Sequence, residues 1–88
     1  MTDASGQTEG VAAARRAVEA VWRIESGRLI ASLARVTGEV ALAEDVAQEA
    51  LLVALEQWPT SGIPPNPGGW LMTTAKRRAI DAHRRTGT

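Results

Sequence analysis

The chain has 88 residues, with ten Lys and Arg against ten Asp and Glu, one His, three Trp and no Cys, Phe or Tyr. That length fits one domain, the missing cysteines exclude a disulfide framework and a thiolate metal site, and a single histidine cannot build a metal cluster. The balanced charge hides an asymmetry: through Asn66 five basic residues stand against nine acidic ones, whereas from Pro67 onward five stand against Asp81 alone, a pattern that suggests two different partners.

In chain order, residues 1–10 (MTDASGQTEG) offer almost nothing to bury and read as disordered. They have neither the basic start nor the apolar run of a signal peptide. No later apolar run approaches a membrane span, so a soluble, cytoplasmic protein is expected. Residues 11–24 read as a helix with Ala14, Ala17, Val18, Val21 and Trp22 on one stripe. Ser26 and Gly27 signal a break. A second helix is expected over 28–37, with Leu29, Ile30, Leu33 and Val36 inward, and Gly38 stands where a helix C′ glycine belongs.

The pattern over 40–58, VALAEDVAQEALLVALEQW, is the longest uninterrupted one. Leu42, Ala43, Val46, Ala47, Ala50, Leu51, Val53, Ala54 and Trp58 share a broad apolar side made mostly of small residues. Glu44, Asp45, Gln48, Glu49 and Glu56 form the other side, unneutralised by any Lys or Arg. Leu52 and Leu55 interrupt that acidic side. Two readings stay open for them: single exposed apolar residues of the ordinary kind, or a docking surface.

Residues 59–68 are rich in Pro and Gly and read as a stiff, irregular loop. The final helix is expected over 69–85. Leu71, Met72, Ala75, Ala79 and Ala82 make its narrow apolar face, and Thr73, Thr74, Arg77, Asp81 and Arg84 lie opposite. Asp81 is four residues after Arg77 and three before Arg84, placed to orient both guanidinium groups. The expected fold is therefore all-α, a compact bundle of three to four helices filling 11–88, with no strand and no repeat.

Nothing in the sequence resembles an active site. There is no carboxylate pair beside a histidine, no nucleophile elbow and no phosphate-binding glycine loop, so neither catalysis nor a cofactor is expected. His83 reads as a surface residue, and Trp22 and Trp58 read as core. Trp70 projects away from Leu71 and Ala75, leaving a base-stacking surface and a packing role both open.

AEDVAQEALLVALEQW followed by WLMTTAKRRAIDAHRR resembles region 2 of the sigma-70 family, specifically the extracytoplasmic-function (ECF) group of bacterial RNA polymerase sigma factors. The likeness rests on Ala43, Glu44, Asp45, Gln48, Glu49 and Trp58 in the first piece. In the second it rests on Trp70, Leu71, Ala75, Asp81, Arg84 and Arg85. The chain departs from the family pattern in having Arg77 where an Asn is frequent, Leu51 where an aromatic is usual, and a loop richer in proline. A sigma factor of this kind continues into region 4, which reads the minus-thirty-five element, so the chain resembles an isolated region 2.

The resemblance implies docking on the β′ clamp helices of RNA polymerase core through Asp45, Gln48, Glu49, Leu52 and Glu56. It implies capture of the non-template strand of the minus-ten promoter element through Asn66, Trp70, Lys76, Arg77, Arg78, Arg84 and Arg85. An anti-sigma factor or region 4 are the further implied partners. The alternative is a helical protein-interaction module whose basic end makes no DNA contact.

Overall fold

Three helices and two short connections account for residues 3–87, the part of the chain described by the computed structural model; side chains are described for 9–82 and for Arg84. The helices are α1 (Asp3–Thr37), α2 (Val40–Ser61) and α3 (Pro67–Gly87), and the expectation of an all-α bundle is borne out.

The break expected at Ser26 and Gly27 is absent: α1 runs through both. The apolar phase explains this. From buried Val18 to buried Leu29 is eleven residues, three full helical turns, so the stripe of Ala14, Val18, Trp22, Leu29 and Leu33 never leaves one side. Gly27 costs about 1 kcal/mol relative to alanine in a helix interior. That is small against the burial on either side of it. α1 also takes in residues 3–10, whose composition predicts disorder. Extending an established helix fixes one residue per hydrogen bond gained, far easier than starting one.

At its other end α1 stops where expected. Gly38 adopts a φ of 77° and its amide donates to the Ala34 carbonyl at 2.8 Å. Thr37 is buried, and its Oγ1 both donates to the Glu39 carbonyl and accepts from the Glu39 amide. Thr37, one turn beyond Leu33, thus takes the inward position expected of Val36, which is 52% exposed. The α1–α2 turn is closed by these local bonds.

α2 lies with Ala43, Val46, Ala47, Ala50, Ala54 and Trp58 buried, and α3 with Leu71, Ala75 and Ala79. Both apolar faces follow the sequence periodicity. So many alanines let the three helices approach closely. The larger groups, Leu29, Leu33, Val46, Leu71 and Trp58, fill what the alanines leave. α2 continues past Trp58 through Pro59 to Ser61, so the connection is 62–66 rather than the longer loop expected over 59–68. Proline so near a helix end deletes only one late bond, and the Gly62 amide still reaches the Trp58 carbonyl at 3.0 Å. Gly10 of α1 faces this turn; a Cβ there would stand 3.1 Å from the Pro59 carbonyl oxygen.

Candidate functional site

α3 begins at Pro67, two residues before the start expected at 69. Asn66 is the cap: its Oδ1 accepts the Gly69 amide at 3.0 Å and its carbonyl accepts the Trp70 amide at 3.0 Å. Pro67 follows in the first helical position, where a missing N–H is harmless. The Asn-Pro pair was the signal for this start, masked by the surrounding prolines. A Cβ at Gly69 would lie 2.6 Å from Asn66 Nδ2, so a side chain there would displace the capping carboxamide. Asn66→Ala is expected to cost about 0.5–2 kcal/mol in urea unfolding, and Asn66→Asp to retain the cap. Equal stability of the wild type and the alanine variant would remove the cap from this account.

The cap leaves the Asn66 carboxamide facing a surface hollow of about 420 Å³, lined by Asn66, Gly69, Trp70, Thr73, Thr74 and Arg77. A second hollow of about 380 Å³ opens between α2 and α3. Trp70, Thr74 and Arg77 border both, so one ridge of α3 separates them. Trp70, Arg77 and Arg84 recur every seven residues and lie along that edge. The lining residues Thr73, Thr74 and Gly69 were not singled out from the sequence as functional; Thr73 and Thr74 were recognisable only as facing away from the core.

Trp70 is half-buried. Its ring meets that of Trp58 edge-to-face, with centroids 5.3 Å apart and planes at 71°. One side of the indole is thus committed to packing, and the rest borders the two hollows. Of the remaining cations, Arg77, Arg78, Arg84 and Lys76 are exposed. Lys76 lies on the opposite flank of α3 from Arg78. Arg85 continues the helix, but its side chain lies outside the described residues, as does that of His83.

Asp81 does not orient Arg77 as the spacing suggested: among the described residues the one ion pair joins Arg78 to Glu49, at 3.7 Å. The reason is geometric. Arg78 sits on the flank of α3 turned toward α2, within reach of an acid there, whereas Asp81 only shares the α2–α3 hollow with Arg77 and Arg78.

On α2, Asp45, Gln48, Glu49, Leu52 and Glu56 are all exposed. They fall at intervals of three, four and seven, hence on one stripe, and that stripe lies directly opposite the buried face of Ala43, Ala47, Ala50 and Ala54. Leu52, 65% exposed, sits in its middle. Leu55 turns instead toward α1, where it borders a mainly apolar hollow with Val18, Trp22 and Leu51. The acidic stripe and the cationic helix therefore are neighbours, and among the described residues the Glu49–Arg78 ion pair joins them.

Among the described residues no group of three or more His, Cys, Asp or Glu side chains could hold a metal ion, and no helix is long and apolar enough to cross a membrane. A family model described as Sigma-70 region 2 matches residues 22–88. An uncharacterized protein of Rhizobium meliloti (strain 1021) is 43% identical over 44 residues, which is 50% of this chain and 10% of that protein. The chain thus matches only about a tenth of the length of this curated relative. No solved structure matches.

Proposed function

The chain belongs to the sigma-70 region 2 family, the promoter-recognition domain of sigma factors, and we propose that it serves an ECF-type factor by docking on polymerase and capturing a melted promoter strand. In this reading the exposed stripe of Asp45, Gln48, Glu49, Leu52 and Glu56 meets the basic coiled coil of the β′ clamp helices. The start and outer edge of α3 take the non-template strand of the minus-ten element in the cytoplasm. A region 4 and an anti-sigma factor are the further partners it expects.

The observation that carries the reading is the separation of charge onto two exposed faces, with two hollows bordering the cationic one. Two macromolecules of opposite charge can then be held at once. An extruded base needs a recess outside the stack. The hollow between the Asn66 cap and Arg77 offers a carboxamide, two threonine hydroxyls and an indole edge, with a guanidinium at its rim for phosphate. Melting needs no nucleotide hydrolysis, because binding the unpaired strand draws the equilibrium toward it.

The test is salt-dependent binding of a fluorescein-labelled single-stranded minus-ten oligonucleotide to the chain assembled on core polymerase. Arg77→Ala and Arg84→Ala are each expected to weaken binding and to lower the salt slope by roughly 0.7, one phosphate each. Unchanged affinity and slope in both variants would favour the protein-interaction module over a DNA-binding domain.

A further inference from the structure

The apolar hollow between α1 and α2 belongs to neither the acidic stripe nor the cationic edge, and we infer that it is a self-association site, the groove in which α1 of a second copy of the chain lies. The hollow measures about 300 Å³ and is walled by Val18 and Trp22 of α1 and by Leu51 and Leu55 of α2. Arg15 and Glu19 complete its lining on successive turns of α1. Both are exposed, and among the described residues neither is in an ion pair. Their order accounts for this: a cation four residues before an acid is the weaker arrangement on a helix. The hollow therefore presents apolar surface together with one unengaged charge of each sign.

A second copy carries the complement of this pattern. When two α1 helices lie antiparallel about a two-fold axis, each residue meets the one equally far beyond the axis in the partner, and every contact occurs twice. With the axis at residues 16–17, Arg15 of each copy stands against the partner's Glu19. The same register sets Val11, 45% exposed, against the Trp22 end of the opposite hollow. Charged and apolar contacts thus agree on one alignment. Leu55, 37% exposed on the α2 wall, lies beside the entering helix. The basic coiled coil proposed for the acidic stripe of α2 suits this groove poorly, because Arg15 would meet like charge. Contact over about three turns of helix falls at the small end of protein interfaces, so pairing is expected to be weak, with a Kd above the micromolar range.

The experiment is sedimentation velocity on the chain from about 10 µM to about 1 mM, a range chosen for such weak pairing, at low and at high salt. The wild type is expected to move from monomer toward dimer as concentration rises, and less so at high salt, where exposed charges are screened. Arg15→Glu and Glu19→Arg each set like charges face to face twice per dimer, and each is expected to raise Kd about tenfold or more. Combined in one chain, the two substitutions exchange the charges and are expected to return pairing to near the wild-type level. That rescue separates self-pairing from unfolding and from general stickiness, since neither responds to the sign of both charges together. Val11→Ala is expected to weaken pairing by the same factor at both salt concentrations, because burial of apolar surface is not screened. Circular dichroism melting checks each variant, and exposed positions of this kind are expected to leave the fold intact. A wild type that stays monomeric throughout overturns the inference. So does a dimer that neither single reversal nor Val11→Ala weakens, or a double reversal that melts like the wild type yet stays monomeric.

Discussion

Trp58→Ala is expected to lower the stability of the domain by about 3–5 kcal/mol, the range for removing a buried tryptophan, enough to leave much of an 88-residue chain unfolded. Trp58 is 2% exposed, one turn beyond buried Ala54 on the same face of α2, and belongs to a core built largely of alanines, which cannot expand to fill the space it would vacate. Its ring also supports Trp70, and an edge-to-face pair contributes about 0.5–1.5 kcal/mol beyond the area it buries. One feature works against it: among the described residues the buried indole Nε1 has no hydrogen-bond partner. An orphaned donor costs about 1–3 kcal/mol. Trp58→Phe removes that donor while keeping an aromatic ring, so it is expected to cost far less than the alanine variant. Urea unfolding followed by circular dichroism decides the matter. A loss below about 1 kcal/mol in Trp58→Ala would mean that the alanine-rich core closes without its fully buried ring.

The same pair decides how Trp70 is to be tested. Packing and base stacking are not alternatives for a ring with one side on Trp58 and the rest at the rim of two hollows. Trp70→Ala disturbs both, so a fall in DNA affinity with it would be uninterpretable alone. Trp70→Phe keeps an aromatic contact to Trp58 and shortens only the part that reaches the hollows.

What could be seen in the sequence follows from period and punctuation. The buried and exposed faces of α2 and α3 were legible because their alanines and leucines repeat at helical spacing without interruption. Gly38 was legible because a helix end followed by a new helix demands a residue tolerant of positive φ, and its φ is 77°. Gly27 misled for the same reason. Glycine punctuates only when the apolar phase also changes, and between Val18 and Leu29 it does not. The prolines of the connection hid two different roles: Pro59 is absorbed into the last turn of α2, while Pro67 opens α3 behind the Asn66 cap.

The candidate site was legible in part. Helical spacing grouped Glu44, Asp45, Gln48, Glu49 and Glu56, the family resemblance picked out Asp45, Gln48, Glu49, Leu52 and Glu56 for docking, and spacing grouped Trp70 with Arg77 and Arg84. The Glu49–Arg78 contact was not, because it depends on how α2 and α3 cross, and spacing within one helix carries no information about that. Local spacing instead favoured Asp81 as the partner of the arginines. Asn66 was chosen by family resemblance for DNA, and its capping role appears only once the start of α3 is known.

Charge reversal on α2 separates docking from folding. Asp45→Lys combined with Glu56→Lys is expected to weaken binding to the β′ clamp helices by several kcal/mol, on the order of a hundredfold or more in Kd, because like charges then face each other. These two positions are cleaner than Glu49, whose replacement also breaks the pair to Arg78. Both are exposed and neither is in an ion pair among the described residues, so the melting temperature should stay within a few degrees of wild type. The loss should shrink as ionic strength rises, since exposed charges are screened within about 10 Å at 0.1 M salt. Leu52, 65% exposed at the middle of the stripe, supplies the complementary measurement. If the stripe packs against its partner, Leu52→Ala weakens docking equally at low and high salt, because burial of apolar surface is not screened. If the stripe only steers the encounter, Leu52→Ala changes nothing and the charge reversal acts mainly on the association rate. A charge-reversed chain that keeps both its fold and its full clamp-helix affinity would remove this face of α2 from polymerase binding altogether.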